Sequence, residues 1–215
     1  MDITWHGLGS FSFSGKPVSG EVTLVTDPFE GGEGLRYPRT LSAALVVQSH
    51  EGKDAGNAEA ISGMDKKQPF VVHHAGEYEV QGVFVTGIRA PKKDGSEHTI
   101  YRIIFEGIKI GFLGALDRTL TDTELERLGD IDVLIVPVGG GEVLNKDGAQ
   151  DVVNQVEPRL VVPSYFHVSG STRTLEGADA FCKELACPRE DSNKLKITKS
   201  SLPEDDVKVA VLAKS

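Results

Sequence analysis

Residues 132–140 read Asp132-Val133-Leu134-Ile135-Val136-Pro137-Val138-Gly139-Gly140. The apolar run from Val133 to Val138 is too short for a helix and lacks the alternation of a half-exposed strand. It reads instead as a strand buried on both faces, leaving into a glycine loop. Downstream, Gly148 to Val156 reads as a helix stopped near Pro158, Leu160 to Pro163 as a strand, Leu175 to Leu185 as a helix and Val207 to Leu212 as a last strand. Upstream, Thr121 to Leu128 is helical, and Thr121-x-x-Glu124 has the spacing of a capping box.

The first half is β-rich. Ile3 to Trp5, Ser10 to Ser14 and Glu21 to Thr26 are strand-like pieces separated by Gly and Pro, and Ala43 to Gln48 is a second strand buried on both faces. Asp54 to Ser62 reads as a short helix. Pro69 to His73, Tyr78 to Gln81 and Val83 to Thr86 return to strand character, and Glu106-Gly107 marks a tight turn between His98 to Phe105 and Lys109 to Leu113. Strands first, then strands alternating with helices, predict an α/β chain of two packed sheets with helices outside, as one domain over 1–215.

Composition narrows the function classes. The 215 residues are 39% hydrophobic and 26% charged, and 32 acids against 23 bases give a net charge of −9. Such a surface repels phosphate backbones and anionic membranes, so no nucleic-acid or membrane partner is expected. Every apolar run is strand-sized, too short to span a bilayer. No signal peptide is read at the N-terminus. Cys182 and Cys187 are taken as reduced thiols, which makes the protein cytoplasmic in this reading.

Several stretches, in order, resemble the metallo-β-lactamase superfamily, in the metal-dependent hydrolase branch related to L-ascorbate-6-phosphate lactonase. Thr26-Asp27-Pro28-Phe29 is similar to its Asp-Pro-Phe turn, and Ala75-Gly76-Glu77-Tyr78-Glu79-Val80 to its Pro-Gly-Glu-Tyr-Glu segment. The strand at Asp132 to Gly140 and the end at Lys194 to Thr198 also match. The resemblance implies an αββα sandwich of two mixed β-sheets flanked by helices, with a site of one or two zinc or manganese ions at one edge. Homo-oligomers, frequent in the family, are a further expectation.

The resemblance also implies a ligand set, and this chain departs from it. The His-x-His-x-Asp-His motif falls on His50-Glu51-Gly52-Lys53-Asp54-Ala55, which keeps His50 and Asp54 but has Gly52 and Ala55 where histidines are expected. His-Leu-Gly-Asp becomes Phe112-Leu113-Gly114-Ala115, and the final ligand position holds Tyr165. Catalytic zinc needs three protein ligands at about 2.0–2.2 Å and an open position. The expectation is a residual ancestral pocket of His50, Asp54, Asp117, Tyr165 and His167 without metal, in a pseudoenzyme that acts by binding or assembly on a ligand the sequence does not name. The alternative is a hydrolase of a small phosphoester or lactone whose zinc or manganese is held by His50, Asp54, Asp117 and His167. His73 and His74, adjacent in an expected strand, should point to opposite faces, and His98 should lie in a solvated loop. The Gly139-Gly140-Gly141 run is compatible with a phosphate cradle or with a strained strand exit.

Overall fold

A computed structural model describes residues 1–18, 20–64, 67–183, 192–204 and 206–215. In chain order the elements are β1 (Asp2–Gly7), β2 (Ser10–Gly15), β3 (Val22–Thr26), β4 (Ser42–Ala43), β5 (Leu45–Val47), β6 (Ser62–Gly63), β7 (Phe70–Val72), β8 (Gly76–Val80), β9 (Val83–Arg89), β10 (Thr99–Phe105) and β11 (Ile108–Phe112). They continue with α1 (Asp122–Leu128), β12 (Val133–Pro137), α2 (Lys146–Val156), β13 (Leu160–Ser164), α3 (Ala178–Cys182), β14 (Lys194–Lys196) and β15 (Lys208–Val209).

Among the described residues the strands form a six-stranded sheet in the order β14-β1-β2-β3-β5-β7 and a seven-stranded sheet in the order β15-β13-β12-β11-β10-β9-β8. Both are mixed. In the first, β3, β5 and β7 run parallel beside antiparallel neighbours; in the second, β11, β12, β13 and β15 do. Every residue of β12 is buried, as a strand flanked by β11 and β13 must be. Trp5, Phe11, Phe13, Leu24 and Leu45 from the first sheet join Ile103, Phe105, Ile110, Phe112 and Ile135 from the second in one apolar core. The expected α/β sandwich of two mixed sheets is what the chain adopts.

Helices follow the expectation unevenly. At α1, Thr121 Oγ1 accepts from the Glu124 N–H while the Glu124 carboxylate accepts from the Thr121 N–H, so the capping box is formed. Helix α2 begins before Gly148 because Asn145 caps it by accepting from the Gly148 N–H. The helix expected over Asp54 to Ser62 is replaced by a turn, in which the Gly52 carbonyl accepts from the Ala55 and Gly56 N–H groups, and by one short 3-10 turn at Ala58–Ala60. The outer face of the first sheet is therefore covered by irregular chain, with Ile61, Leu41 and Ala58 packed on Val25 and Val46. The last expected helix is limited to Ala178–Cys182, residues 184–185 lying outside the described residues. Cys182 is disulfide-bonded, which overturns its reading as a reduced thiol; Cys187 lies outside the described residues. Among the described residues no helix is long and apolar enough to cross a membrane.

Candidate functional site

The parallel strands place the site. Asp27 follows β3, Ser49 and His50 follow β5, Ala115 follows β11, Gly139 follows β12 and Tyr165 follows β13. All leave the carboxyl ends of strands, where crevices form in sheets of this kind. Three residues here hold left-handed backbone without being glycine: Leu8 (φ 50°), Asp27 (φ 35°) and Tyr165 (φ 48°). Such conformations persist where the surrounding structure enforces them, and they cluster at sites. Gly9 is part of that enforcement. A Cβ there would stand 2.7 Å from the Tyr165 ring and 2.9 Å from Asp27 Oδ2, so only glycine lets the two approach.

A single hydrogen-bonded line runs through the site. Asp27 accepts from the Ser49 N–H at 2.7 Å and from its hydroxyl at 2.6 Å. Ser49 Oγ lies 2.9 Å from His50 Nδ1, and His50 Nε2 lies 3.2 Å from Asp54 Oδ1. The Tyr165 hydroxyl donates to Asp54 Oδ2 at 3.3 Å. With the Ser49 hydroxyl hydrogen directed at Asp27, His50 donates from both ring nitrogens, the pattern of an imidazolium.

The charges agree with that pattern. Burial opposes a charge on His50, but the Asp54 hydrogen bond and the Asp27 and Asp54 carboxylates outweigh it and raise its pKa. Burial likewise opposes charge on Asp54, yet the His50 hydrogen bond and charge, with Arg173, hold its pKa well below the usual carboxylate range. Asp27 is pushed up to about 7, chiefly by complete burial, against the opposing pull of His50 and Ser49. Burial and the Asp54 charge keep the Tyr165 phenol well above its ordinary value, so it remains a protonated donor.

Ser49, His50 and Asp54 are linked in the sequence of a hydrolytic triad, but Ser49 is 1% exposed and its hydroxyl is spent on Asp27. Ser49 is therefore not presented to a substrate as an attacking nucleophile. The line fixes the loop after β5.

Of the expected pocket residues, His50, Asp54 and Tyr165 come together. Asp117 does not: its carboxylate accepts from the Lys93 N–H at 3.1 Å. His167 is exposed, its backbone N–H bonded to the Glu176 carbonyl. His6 is turned away from the site, bonded to Ser12 and Ser215. His73 and His74 correct the expectation of opposite faces. Strand β7 ends at Val72, so strand alternation does not govern them, and their rings lie 4.0 Å apart. His98 corrects the expectation of solvation: it is 2% exposed and stacked on His50 at 5.8 Å. His50, His73, His74 and His98 line one cleft of about 370 Å³. The glycine loop is accounted for by packing, since a Cβ at Gly139 would stand 2.0 Å from the Tyr165 carbonyl oxygen.

The residues present do not fit a family-type metal. Gly52 and Ala55 carry no donor atoms, and Ala115 is buried among Leu8, Phe29, Leu35, Val143 and Tyr165. Phe112 belongs to the apolar core. Both nitrogens of His50 and both oxygens of Asp54 are already engaged. Among the described residues no group of three or more His, Cys, Asp or Glu side chains is placed to hold an ion. Sequence reasoning missed three participants. Asp27 was visible only as part of a turn, and Ser49 only as the residue before the motif. Arg173, in a polar loop, carried no local signal at all.

Known proteins agree with the architecture. The β-lactamase superfamily domain family matches residues 2–165. A protein from Thermotoga maritima, assigned as a Zn-dependent hydrolase of the metallo-β-lactamase superfamily, superimposes with a TM-score of 0.78 at 27% identity, covering 99% of both chains. A UPF0173 metal-dependent hydrolase from Thermoplasma acidophilum is 23% identical over 194 residues, 78% of this chain and 84% of that one. Another from Pelotomaculum thermopropionicum is 24% identical over 198 residues, covering 78% and 85%. With the two mixed sheets and the site at their carboxyl edge, this chain belongs to the β-lactamase superfamily domain family and has the metallo-β-lactamase fold.

Proposed function

We propose that this chain is a metal-free member of its family that acts by binding a small polar ligand rather than by metal-dependent hydrolysis. The observation that supports this most directly is the state of the two surviving ligand side chains. His50 and Asp54 are hydrogen-bonded to each other, and their remaining polar atoms are taken by Ser49 and Tyr165. A metal ligand must keep an electron pair directed at the ion, whereas here both His50 nitrogens carry hydrogens and the Asp54 oxygens accept from His50 and Tyr165. Beside them lies a cleft of about 340 Å³ whose lining includes Lys92, Thr172 and Thr174 as well as Asp54 and Tyr165. That mix of charge and hydroxyl suits a polar ligand.

The test is elemental analysis of untagged protein expressed with added zinc and manganese and then dialysed, together with thermal unfolding in either metal. The expected result is no stoichiometric metal and an unchanged melting temperature. Near-stoichiometric metal that is lost on His50→Ala would overturn the reading.

A further inference from the structure

The loop after β13 carries Arg173 directly over the surviving ligand position. Its Nε lies 2.8 Å from Glu33 Oε2, Nη1 lies 3.6 Å from Asp54 Oδ2 and Nη2 lies 3.8 Å from Glu142 Oε2. Three carboxylates from three separate segments surround one guanidinium. The side chain also stands between two clefts, of about 340 and 260 Å³, each lined by Glu33, Asp54 and Arg173.

This placement is built into the backbone. The Thr172 N–H donates to the Glu33 carbonyl at 2.8 Å, and the Glu176 N–H donates to the Gly139 carbonyl at 2.8 Å. The Arg173 N–H is held by Ser171 Oγ at 3.2 Å. The loop at 31–35 is pressed so closely on this one that a Cβ at Gly34, where φ is +79°, would stand 1.7 Å from the Gly170 carbonyl oxygen. The Arg173 loop is thus fastened to the 31–35 loop before Arg173 and to the glycine loop after β12 beyond it.

We infer that Arg173 is an internal counter-ion that takes the place of the metal: beside the titratable His50 it supplies, from within the chain, a permanent positive charge at Asp54 and closes the old site by partitioning its mouth. The inference rests on the metal-free reading. A carboxylate that is only 18% exposed is costly unless it is paired. A guanidinium stays protonated at any ordinary pH and cannot be dialysed or chelated away. Lys92, in the same cleft, adds a second fixed cation, its ammonium donating to the Glu142 carbonyl at 2.8 Å. A divalent ion approaching Asp54 would have to displace both the His50 hydrogen bond and the guanidinium. Loss of the metal ligands and presence of this arginine are therefore two halves of one arrangement.

The experiment is a thermal double-mutant cycle of Arg173→Gln and Asp54→Asn, with chemical rescue by methylguanidinium at low millimolar concentration. Arg173→Gln should lower the melting temperature by roughly 2–6 °C. The double variant should be more stable than the two single losses added together, because without Asp54 there is no carboxylate there for Arg173 to compensate. Methylguanidinium should raise the melting temperature of Arg173→Ala and leave wild type unchanged. If Arg173→Gln is too unstable to purify, Arg173→Lys with and without Asp54→Asn gives the same comparison. Additive losses with no rescue overturn the inference while leaving the metal-free reading intact. Metal retained by the wild-type protein overturns the reading itself.

Discussion

Asp27 holds Ser49 through both of its donors, the backbone N–H at 2.7 Å and the hydroxyl at 2.6 Å. This pair ties the end of β3 to the end of β5 and sets the position from which His50 and Asp54 depart. Because the carboxylate is completely buried, nothing in solvent can replace it.

Asp27→Ala therefore leaves the Ser49 N–H and hydroxyl without their acceptor and should cost roughly 2–4 kcal/mol of stability. Asp27→Asn keeps one acceptor oxygen and should cost less. Urea denaturation of the three proteins at neutral pH checks the order. Equal stability of Asp27→Ala and wild type would show that the loop after β5 is held by other contacts.

His98 gives a pH dependence of known sign. Burial first, and then the facing cations of His50, Lys92 and Arg118, together lower its pKa to about 3 against the opposing pull of the Ala90 backbone. Neither ring nitrogen makes a well-formed hydrogen bond among the described residues. The folded value lies below the unfolded one, so the unfolded chain binds the proton first. The contribution to stability is complete above about pH 6.5 and is lost as pH falls from there towards 3. Against a His98→Phe variant, in which the other titrating groups are retained, wild type should lose about 2 kcal/mol more between pH 7 and pH 5. Parallel stability curves for the two proteins over that interval would contradict it.

Glu124 joins a helix cap to an ion pair. Its carboxylate accepts from Arg118 at 2.7 and 2.9 Å and from the Thr121 N–H at 2.8 Å, and it is 6% exposed. Arg118 Nε in turn donates to the Pro91 carbonyl at 2.8 Å, tying α1 to the β9–β10 loop. Glu124→Ala leaves the guanidinium half-buried without its partner and should cost roughly 3 kcal/mol, against about 1 kcal/mol for Thr121→Ala, which removes only a cap. Guanidinium chloride denaturation distinguishes them. Similar losses would mean that the ion pair contributes little beyond the cap.

The parts legible in the chain are those with local physical causes. An all-apolar run such as Val133 to Val138 has few places to go other than the middle of a sheet, and Thr121 with Glu124 caps a helix by geometry that spans only three residues. His50 and Asp54 were legible through the resemblance of the stretch after β5 to the family's ligand motif. Local pattern misleads where distant chain intervenes. His98 follows a run of exposed polar residues, yet the Thr99 N–H bonds to the Ser49 carbonyl and draws His98 under the loop after β5. His73 and His74 lie just past the end of β7, where the two-residue alternation of a strand no longer applies.

The sequence by itself determined an α/β chain of two packed sheets, because apolar periodicity is a local property, and its resemblance to a known family implied the sandwich and the ligand positions at which Gly52, Ala55 and Ala115 carry no donor atoms. Only the tertiary structure decided that Asp27, Ser49, His50, Asp54 and Tyr165 form one line and that Arg173 closes it. Hydrogen bonds and ion pairs depend on approaches of a few ångströms between segments far apart in the chain. Those approaches are set by sheet order and loop packing, which no local pattern records.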